Sequence, residues 1–206
     1  MIDVDVRIDA SDIEGLKKKL KKLGTKAPTA MYRAINAAAS GAKKDMGKET
    51  SARYHIGSRT VTDTVHVTKA NKESLKAVVR SRGNARKLSD YKMTTGRGIK
   101  AAVKKGPTKS LDGDPKAFMA TMKNGHKDAF QRYMFGHKKA KIRSTRKPGR
   151  KQALNKHNIA IHTFPGPAIP SIIKNDETME IIKKNASETL QRRLEHEIQN
   201  ILQGGR

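Results

Sequence analysis

The sequence contains no cysteine, and it also lacks any long apolar run. Without cysteine there is no disulfide, no thiol nucleophile and no cysteine zinc site, which suits a reducing compartment. No apolar run approaches the roughly 20 residues of a membrane-spanning helix. The first residues, MIDVDVRID, have neither the basic nor the apolar region of a secretory signal. We therefore expect a protein that works in cytoplasm or in an assembly built there, with no membrane among its partners.

Aromatic and acidic residues are scarce. Aromatic residues make up 4% and hydrophobic residues 35% of the 206 residues, and the mean hydropathy is −0.75. This length and composition predict a single domain over residues 1–206, with a thin core and long extensions. The 45 Lys and Arg outnumber the 19 Asp and Glu, which gives a formal net charge of +26. Such an excess favours an anionic partner, either nucleic acid or an acidic protein surface.

The start of the chain has the pattern of a strand followed by a helix. Apolar and polar residues alternate over residues 2–8, which indicates a half-buried strand. The motif Ser11-Asp12-Ile13-Glu14 is a capping box, and it opens an amphipathic helix that ends at Gly24. We interpret the lysines of this helix as its solvated face.

A second, long helix is predicted over residues 29–53, with Pro28 in its first turn. Gly41 and Gly47 each weaken this helix by about 1 kcal/mol relative to alanine. We expect its narrow apolar stripe to pack in an assembly, the alternative being ordinary packing on a sheet within the monomer. The residues of this stripe are Met31, Ala34, Ile35, Ala38, Ala42 and Met46.

The middle of the chain is predicted to contain short strands and basic loops. Residues Val65–Thr68 and Leu75–Arg80 form a predicted hairpin, and Ile99–Lys104 a further strand. Residues 80–109 carry ten Lys and Arg and a single acid. The glycine pair of Gly96-Arg97-Gly98 is interpreted as a loop, because a dinucleotide site needs a third glycine and a downstream acid.

The segment Phe118–Tyr133 is predicted to be a β-hairpin and the folding centre of the second half. Asn124-Gly125 separates two half-apolar runs, and both residue types tolerate the positive φ of a tight turn. Aromatic side chains bury large areas, so a chain with four Phe is expected to build around them.

A basic, flexible arm or loop is predicted at about residues 137–157. Residues 138–156 hold nine Lys and Arg and no acid, so this segment is expected to need an anionic partner to hold it. A strand over Ile159–Phe164 and a closing Pro165-Gly166-Pro167 follow. Pro170 then begins a short helix, and a final helix runs from Glu177 to Leu202. The candidate contacts of the arm to DNA or to an acidic partner are Lys138, Lys139, Lys141, Arg143, Arg146, Lys147, Arg150 and Lys151.

No arrangement of residues predicts catalysis, a metal site or a cofactor site. The seven His do not form a helical zinc motif beside a Glu. His126 with Asp112 and Asp114 is a weak candidate for a metal nuclease, and turn formation explains all three residues better. No nucleophile elbow, phosphate loop or kinase signature is present. We therefore expect no enzyme and no cofactor, and any nucleic acid is expected to be held by its phosphates without base reading.

The order of several motifs resembles the minor tail protein Z, or tail-completion, family of long-tailed bacteriophages. The resemblance is most specific in Phe118-Met119-Ala120-x-Met122-x-x-Gly125-His126-x-x-Ala129-Phe130-x-Arg132 and in Gly166-Pro167-Ala168-Ile169-Pro170. It also includes Tyr54-x-Ile56 early in the chain and Arg192-Arg193-Leu194-x-His196-Glu197-Ile198 in the closing helix. The family is shorter between the hairpin and the Gly-Pro motif, so the arm is expected to be particular to this chain.

The resemblance implies a virion structural protein at the head-proximal end of the tail, assembled in the host cytoplasm. It implies a homo-oligomeric ring, expected to be hexameric, which joins head to tail and positions the genome end. Expected partners are tail terminator or tail tube proteins, head–tail connector proteins and the end of the genome DNA. The implied fold is α+β, with long N-terminal and C-terminal helices packed on a small, mostly antiparallel sheet and extended basic loops. The candidate structural hub consists of Phe118, Met122, Gly125, His126, Phe130, Arg132, Gly166, Pro167 and Pro170.

An alternative function follows from the charge alone. A basic nucleic-acid-binding protein, such as a ribosomal or nucleoid component, has the same excess of Lys and Arg and contacts phosphates without sequence specificity. A steep loss of affinity with rising salt distinguishes it from a protein that acts only as a tail subunit.

Overall fold

The computed structural model describes residues 2–9, 23–96, 98–111, 116–123, 125, 127–132, 134–135, 138–139 and 161–203. The fold class is α+β, as predicted, with long helices and small antiparallel sheets. The chain divides into two compact units. The terminal unit comprises Met1–Ala85 and Ala168–Arg206, and the central unit comprises Arg86–Pro167. The expectation of one domain with a basic arm stays a prediction.

The described residues of the terminal unit form a three-stranded antiparallel sheet and four α-helices. The strands are β1 (Ile2–Asp9), β2 (Val65–Thr68) and β3 (Lys76–Gly83), and β3 lies in the centre. The strand predicted at the start of the chain and the predicted hairpin are thereby confirmed. The helices are α1 (Ala27–Arg53), α2 (Ser58–Thr62), α3 (Ile169–Ile173) and α4 (Asp176–Leu202).

The alanine stripe of α1 is covered within the chain by the antiparallel helix α4. Arg33 Nη1 lies 3.5 Å from Glu197 Oε2 near one end of the pair, and Arg53 Nε lies 3.8 Å from Glu177 Oε2 near the other. Small side chains let two helix backbones approach closely, and the stripe is buried except for the half-buried Met31. The expectation that the stripe packs in an assembly is therefore wrong, because the stripe is buried within the terminal unit, where α1 packs on α4 and on the sheet.

The sheet of the terminal unit has one buried and one polar face. Ala77, Val79 and Ser81 alternate inward along β3, next to the buried Val65 of β2. Strand β1 pairs with β3 along its whole length, from Ile2 opposite Gly83 to Asp9 opposite Lys76. The inward Val6 and Ile8 of β1 are buried and complete the apolar side of the sheet.

The central unit consists of short antiparallel strands and one turn of 3-10 helix at Leu88–Asp90. One sheet has the order β5 (Lys92–Gly96), β6 (Gly98–Ala102) and β7 (Lys109–Ser110). A second sheet places β9 (Lys127–Arg132) between β8 (Phe118–Thr121) and β12 (Ile161–Thr163). The two small remaining sheets pair β4 (Ala85–Lys87) with β13 (Pro165–Ala168), and β10 (Met134–Phe135) with β11 (Lys138–Lys139).

The strands include Gly96 and Gly98 of a predicted loop, and Pro165-Gly166-Pro167, which was expected to close a strand. Gly96 and Gly98 are cross-strand partners at the end of the β5–β6 hairpin. Pro165-Gly166-Pro167 lies within β13, and proline is tolerated there because a strand of a two-stranded sheet has an edge that needs no N–H donor. The predicted capping box and the following turns up to residue 22, together with Asp112 and Asp114, lie outside the described residues.

Candidate functional site

The predicted hairpin is confirmed as β8 and β9. Phe118 is the cross-strand partner of Phe130, and the register ends with Thr121 opposite Lys127. Gly125 has a φ of +78°, a conformation that glycine adopts without steric cost, and its N–H donates to the Met122 carbonyl at 2.9 Å. The turn is therefore longer than the two-residue Asn124-Gly125 connection of a tight hairpin.

Phe118 and Phe130 of the hairpin form a cluster with an arginine. The rings of Phe118 and Phe130 have centroids 6.2 Å apart and tilt by 33°. The Arg132 guanidinium lies over the Phe118 ring at 5.4 Å from its centroid, within the range of a cation–π contact. Phe130 is buried, whereas Phe118 and Met122 are half-buried. His126 lies outside the described residues.

The Gly-Pro motif packs on a tyrosine that the sequence analysis did not include in the hub. A Cβ added at Gly166 would lie 2.8 Å from Cε2 of Tyr91 and 3.2 Å from the Lys87 carbonyl oxygen, so the buried backbone of β13 needs glycine there. The Tyr91 hydroxyl donates to the Pro167 carbonyl at 2.9 Å. The remaining hub residue, Pro170, lies in α3 of the terminal unit with its Cδ 3.4 Å from the Cβ position of Gly83.

We expect Tyr91→Phe to lower the free energy of unfolding by about 1 kcal/mol, because the half-buried Pro167 carbonyl loses its hydroxyl donor. Urea denaturation followed by circular dichroism measures this change. Thr94→Val, which alters an exposed hydroxyl in the next strand, serves as the control and is expected to change stability by less than about 0.5 kcal/mol. An equal effect of the two substitutions would contradict the structural role of the hydroxyl.

The predicted basic arm begins with a strand. Lys138 and Lys139 form β11, in which Lys138 pairs with Phe135 and Lys139 with Met134. The arm was predicted to be extended or flexible from about residue 137, and this stays a prediction. Its other candidate contacts, Lys141, Arg143, Arg146, Lys147, Arg150 and Lys151, lie outside the described residues.

Positive charge is concentrated in the central unit. This unit holds 21 of the 45 Lys and Arg of the chain but four of the 19 Asp and Glu. Two of these acids lie among the residues that the structure describes. Asp90 Oδ2 accepts a 2.8 Å hydrogen bond from Arg86 Nε, and Asp128 is fully buried with its Oδ1 accepting from the Ala129 N–H at 2.8 Å. Acids are therefore few in the described part of the central unit, and both have bonding partners there.

One face of the β5–β6–β7 sheet collects exposed lysines and hydroxyl groups. Lys100 in the central strand has Thr94 as its cross-strand partner on one side and Ser110 on the other. Residues opposite each other in an antiparallel sheet share a face, and Lys92 lies two positions along β5 from Thr94, on that same face. All four residues are exposed, and we call them the lysine face. The opposite side of the sheet buries Ile99 and Ala101.

The lysine face was not predicted from the sequence, in which the basic arm is the more conspicuous run of charge. The available signal was the count of ten Lys and Arg with one acid over residues 80–109. Prediction of the lysine face also requires the register of the β5–β6–β7 sheet, because this register places Lys100 between two partners that carry hydroxyl groups. A strand predicted at Ile99–Lys104 had no predicted neighbour, so its faces were not assigned.

The described residues contain neither a cation site nor a membrane-spanning helix. No group of three or more His, Asp or Glu comes together among them in a way that could hold a metal ion. None of their helices is long and apolar enough to cross a bilayer. Within the terminal unit, a hydrogen bond to Tyr32 and then one to Glu197 raise the pKa of Arg33 above its usual value, so this side chain is charged at any ordinary pH.

Comparison with known proteins gives one match. The family model described as prophage minor tail protein Z matches residues 13–204, and this range includes all of the central unit and most of the terminal unit. No curated protein and no solved structure matches the chain.

Proposed function

The chain belongs to the prophage minor tail protein Z family and is thus a structural component of a phage tail, and we propose that it completes the head-proximal end of that tail. In this proposal copies of the chain form a hexameric ring at the head–tail interface. The ring contacts tail terminator or tail tube proteins on one side and head–tail connector proteins on the other, and it positions the genome end.

The family match over residues 13–204 is the observation that carries this proposal. Nearly the whole chain takes part in the match, so the proposed role belongs to both compact units and not to an isolated motif. The charge distribution is consistent with a position near the genome, because the central unit has 17 of the 26 net positive charges of the chain.

Deletion of the gene from the phage tests the proposal. We expect filled heads and complete tail tubes to accumulate while the infectious titre falls by several orders of magnitude, since heads and tails no longer form productive particles. Expression of the chain from a plasmid should restore the titre. Full infectivity of particles that lack the protein would contradict the proposal.

Electron microscopy of virions separates the proposed position from other positions in the tail. Particles carrying a small C-terminal tag on this chain are labelled with a tag-specific antibody fragment, and particles with the same tag on a tail tube protein are the matched control. We expect label at the head–tail junction for this chain and along the tube for the control. Label at the distal tip would overturn the proposed position.

A further inference from the structure

We propose that the lysine face of the β5–β6–β7 sheet, formed by Lys92, Thr94, Lys100 and Ser110, binds the phosphate backbone of double-stranded DNA. This inference deepens the function proposed above and rests on it for the source of the DNA, which would be the genome end. The contact is independent of base sequence, because Lys and hydroxyl side chains on a sheet surface hold phosphates without reading base edges.

The arrangement of the lysines favours an anionic ligand. Lys92 and Lys100 are diagonal neighbours on one face, because Lys92 is the partner of Ala102 and Lys100 lies two positions from Ala102. Like charges at such positions repel each other. Among the described residues of the central unit, the acids are Asp90, bonded to Arg86, and the buried Asp128. An external anion would therefore relieve this repulsion.

The hydroxyl groups beside Lys100 favour phosphate over a protein carboxylate surface. Thr94 and Ser110 flank Lys100 on the two neighbouring strands. Ser, Thr and Lys are common phosphate contacts in protein–DNA complexes. Protein–protein interfaces instead have apolar and aromatic centres, and lysine is depleted in them. The exposed positions of the lysine face carry no aromatic side chain, and the apolar residues Ile99 and Ala101 point to the buried side.

Further lysines and two glycines border the lysine face. The connection from β6 to β7 adds the exposed Lys104 and Lys105 beyond the end of the sheet. At the other end Gly96 and Gly98 face each other across the hairpin and present no bulky side chain. On the lysine face Ala102 is buried opposite Lys92, so the surface offered to a phosphate backbone consists of the exposed Lys92, Thr94, Lys100 and Ser110.

Fluorescence anisotropy with a labelled 30-base-pair duplex of random sequence tests the proposal on the full chain. The affinity is measured over a series of salt concentrations for the natural chain and for Lys92→Gln/Lys100→Gln. Each lysine that contacts a phosphate contributes about 1 to the slope of log K against log salt. We expect the double variant to lower the magnitude of that slope by about 2 and to weaken binding at 0.1 M salt by roughly tenfold per lysine.

Two further variants provide the controls. Lys44→Gln/Lys48→Gln removes the same charge from exposed positions of α1, and it is expected to leave the slope within about 0.5 of the natural value. Lys92→Arg/Lys100→Arg keeps the charge and is expected to retain the slope of the natural chain, which shows that the sheet tolerates substitution at these positions. An unchanged slope for Lys92→Gln/Lys100→Gln, or an equal loss in both glutamine variants, overturns the proposal.

A polyglutamate probe distinguishes an acidic protein from DNA as the ligand. If Lys92→Gln/Lys100→Gln weakens binding of polyglutamate and leaves the DNA slope unchanged, the face is a protein contact and the proposal is overturned. The result of the DNA-binding experiment can be distinguished from the result of the labelling experiment that tests the proposed function. Label at the head–tail junction together with an unchanged DNA slope would refute the DNA contact alone, and label at the distal tip together with the expected slope change would refute the position alone.

Discussion

Leu194→Ala is expected to lower the free energy of unfolding by about 3 kcal/mol, the largest effect of a single substitution that we predict for this chain. Leu194 is fully buried on α4 in a row with Leu190 and Ile198, on the side of the helix that packs in the terminal unit. Truncation removes apolar contacts and leaves a cavity, and Leu→Ala changes at such sites cost about 2–5 kcal/mol. Chemical denaturation followed by circular dichroism at 222 nm measures the loss.

Leu202→Ala is the matched control for this experiment. Leu202 is the last residue of the same helix and is 60% exposed. The same chemical change there should alter stability by no more than about 0.5 kcal/mol. If the two variants lost equal stability, α4 would not pack through Leu194. If the ring proposed for the virion needs a folded terminal unit, Leu194→Ala will also lower the infectious titre at elevated temperature before Leu202→Ala does.

Gly47→Ala is expected to destabilise the protein by about 2 kcal/mol, although alanine is the better helix former. A Cβ at position 47 would lie 2.6 Å from Ser58 Oγ, 2.7 Å from Thr62 Cγ2 and 3.1 Å from the Ser58 carbonyl oxygen. Helix α2 would have to move away from α1, because a backbone carbonyl cannot rotate aside as a side chain can. Overpacking of this kind typically costs about 1–3 kcal/mol.

Gly41→Ala in the same helix is expected to have the opposite sign. A Cβ at Gly41 would lie 3.8 Å from Thr189 Cγ2, which is an ordinary van der Waals contact. The gain in helix propensity then remains, and it amounts to about 1 kcal/mol. Thermal denaturation of both variants should give melting temperatures on opposite sides of that of the natural chain. A rise for both would show that α1 and α2 are not closely packed at Gly47.

The opposite effects expected at the two glycines cannot be predicted from the sequence. From the sequence alone, Gly41 and Gly47 are equivalent interruptions of one helix, each with the same propensity cost. The difference between them arises from α2, which follows the break at Tyr54 and returns against Gly47. Propensity is a property of the local backbone, whereas the space beside a Cβ depends on residues of other elements, so only the tertiary structure separates the two positions.

Local patterns correctly predicted the elements whose residues carry a clear period. The alternation in β1, the start of α1 next to Pro28, the hairpin at Asn124-Gly125 and the final helix were all predicted from the sequence, and the structure places these elements within a few residues of the expected bounds. These signals are strong because each face of such an element meets a single environment. The α+β class followed from the resemblance, and the observed elements confirm it.

The sequence by itself determined the family, the excess of positive charge and the identity of most long elements. The tertiary structure decided which surfaces meet. It packed α4 against α1, so that Arg33 of α1 meets Glu197 of α4, which is 164 positions away in the sequence. It placed Pro165-Gly166-Pro167 in a strand that packs against Tyr91. It also placed Lys100 between two residues that carry hydroxyl groups. Periodicity indicates which face of an element is apolar, but the packing of distant segments determines what covers that face. The number of charged residues can be read from the sequence, whereas their positions relative to one another depend on the register of the strands.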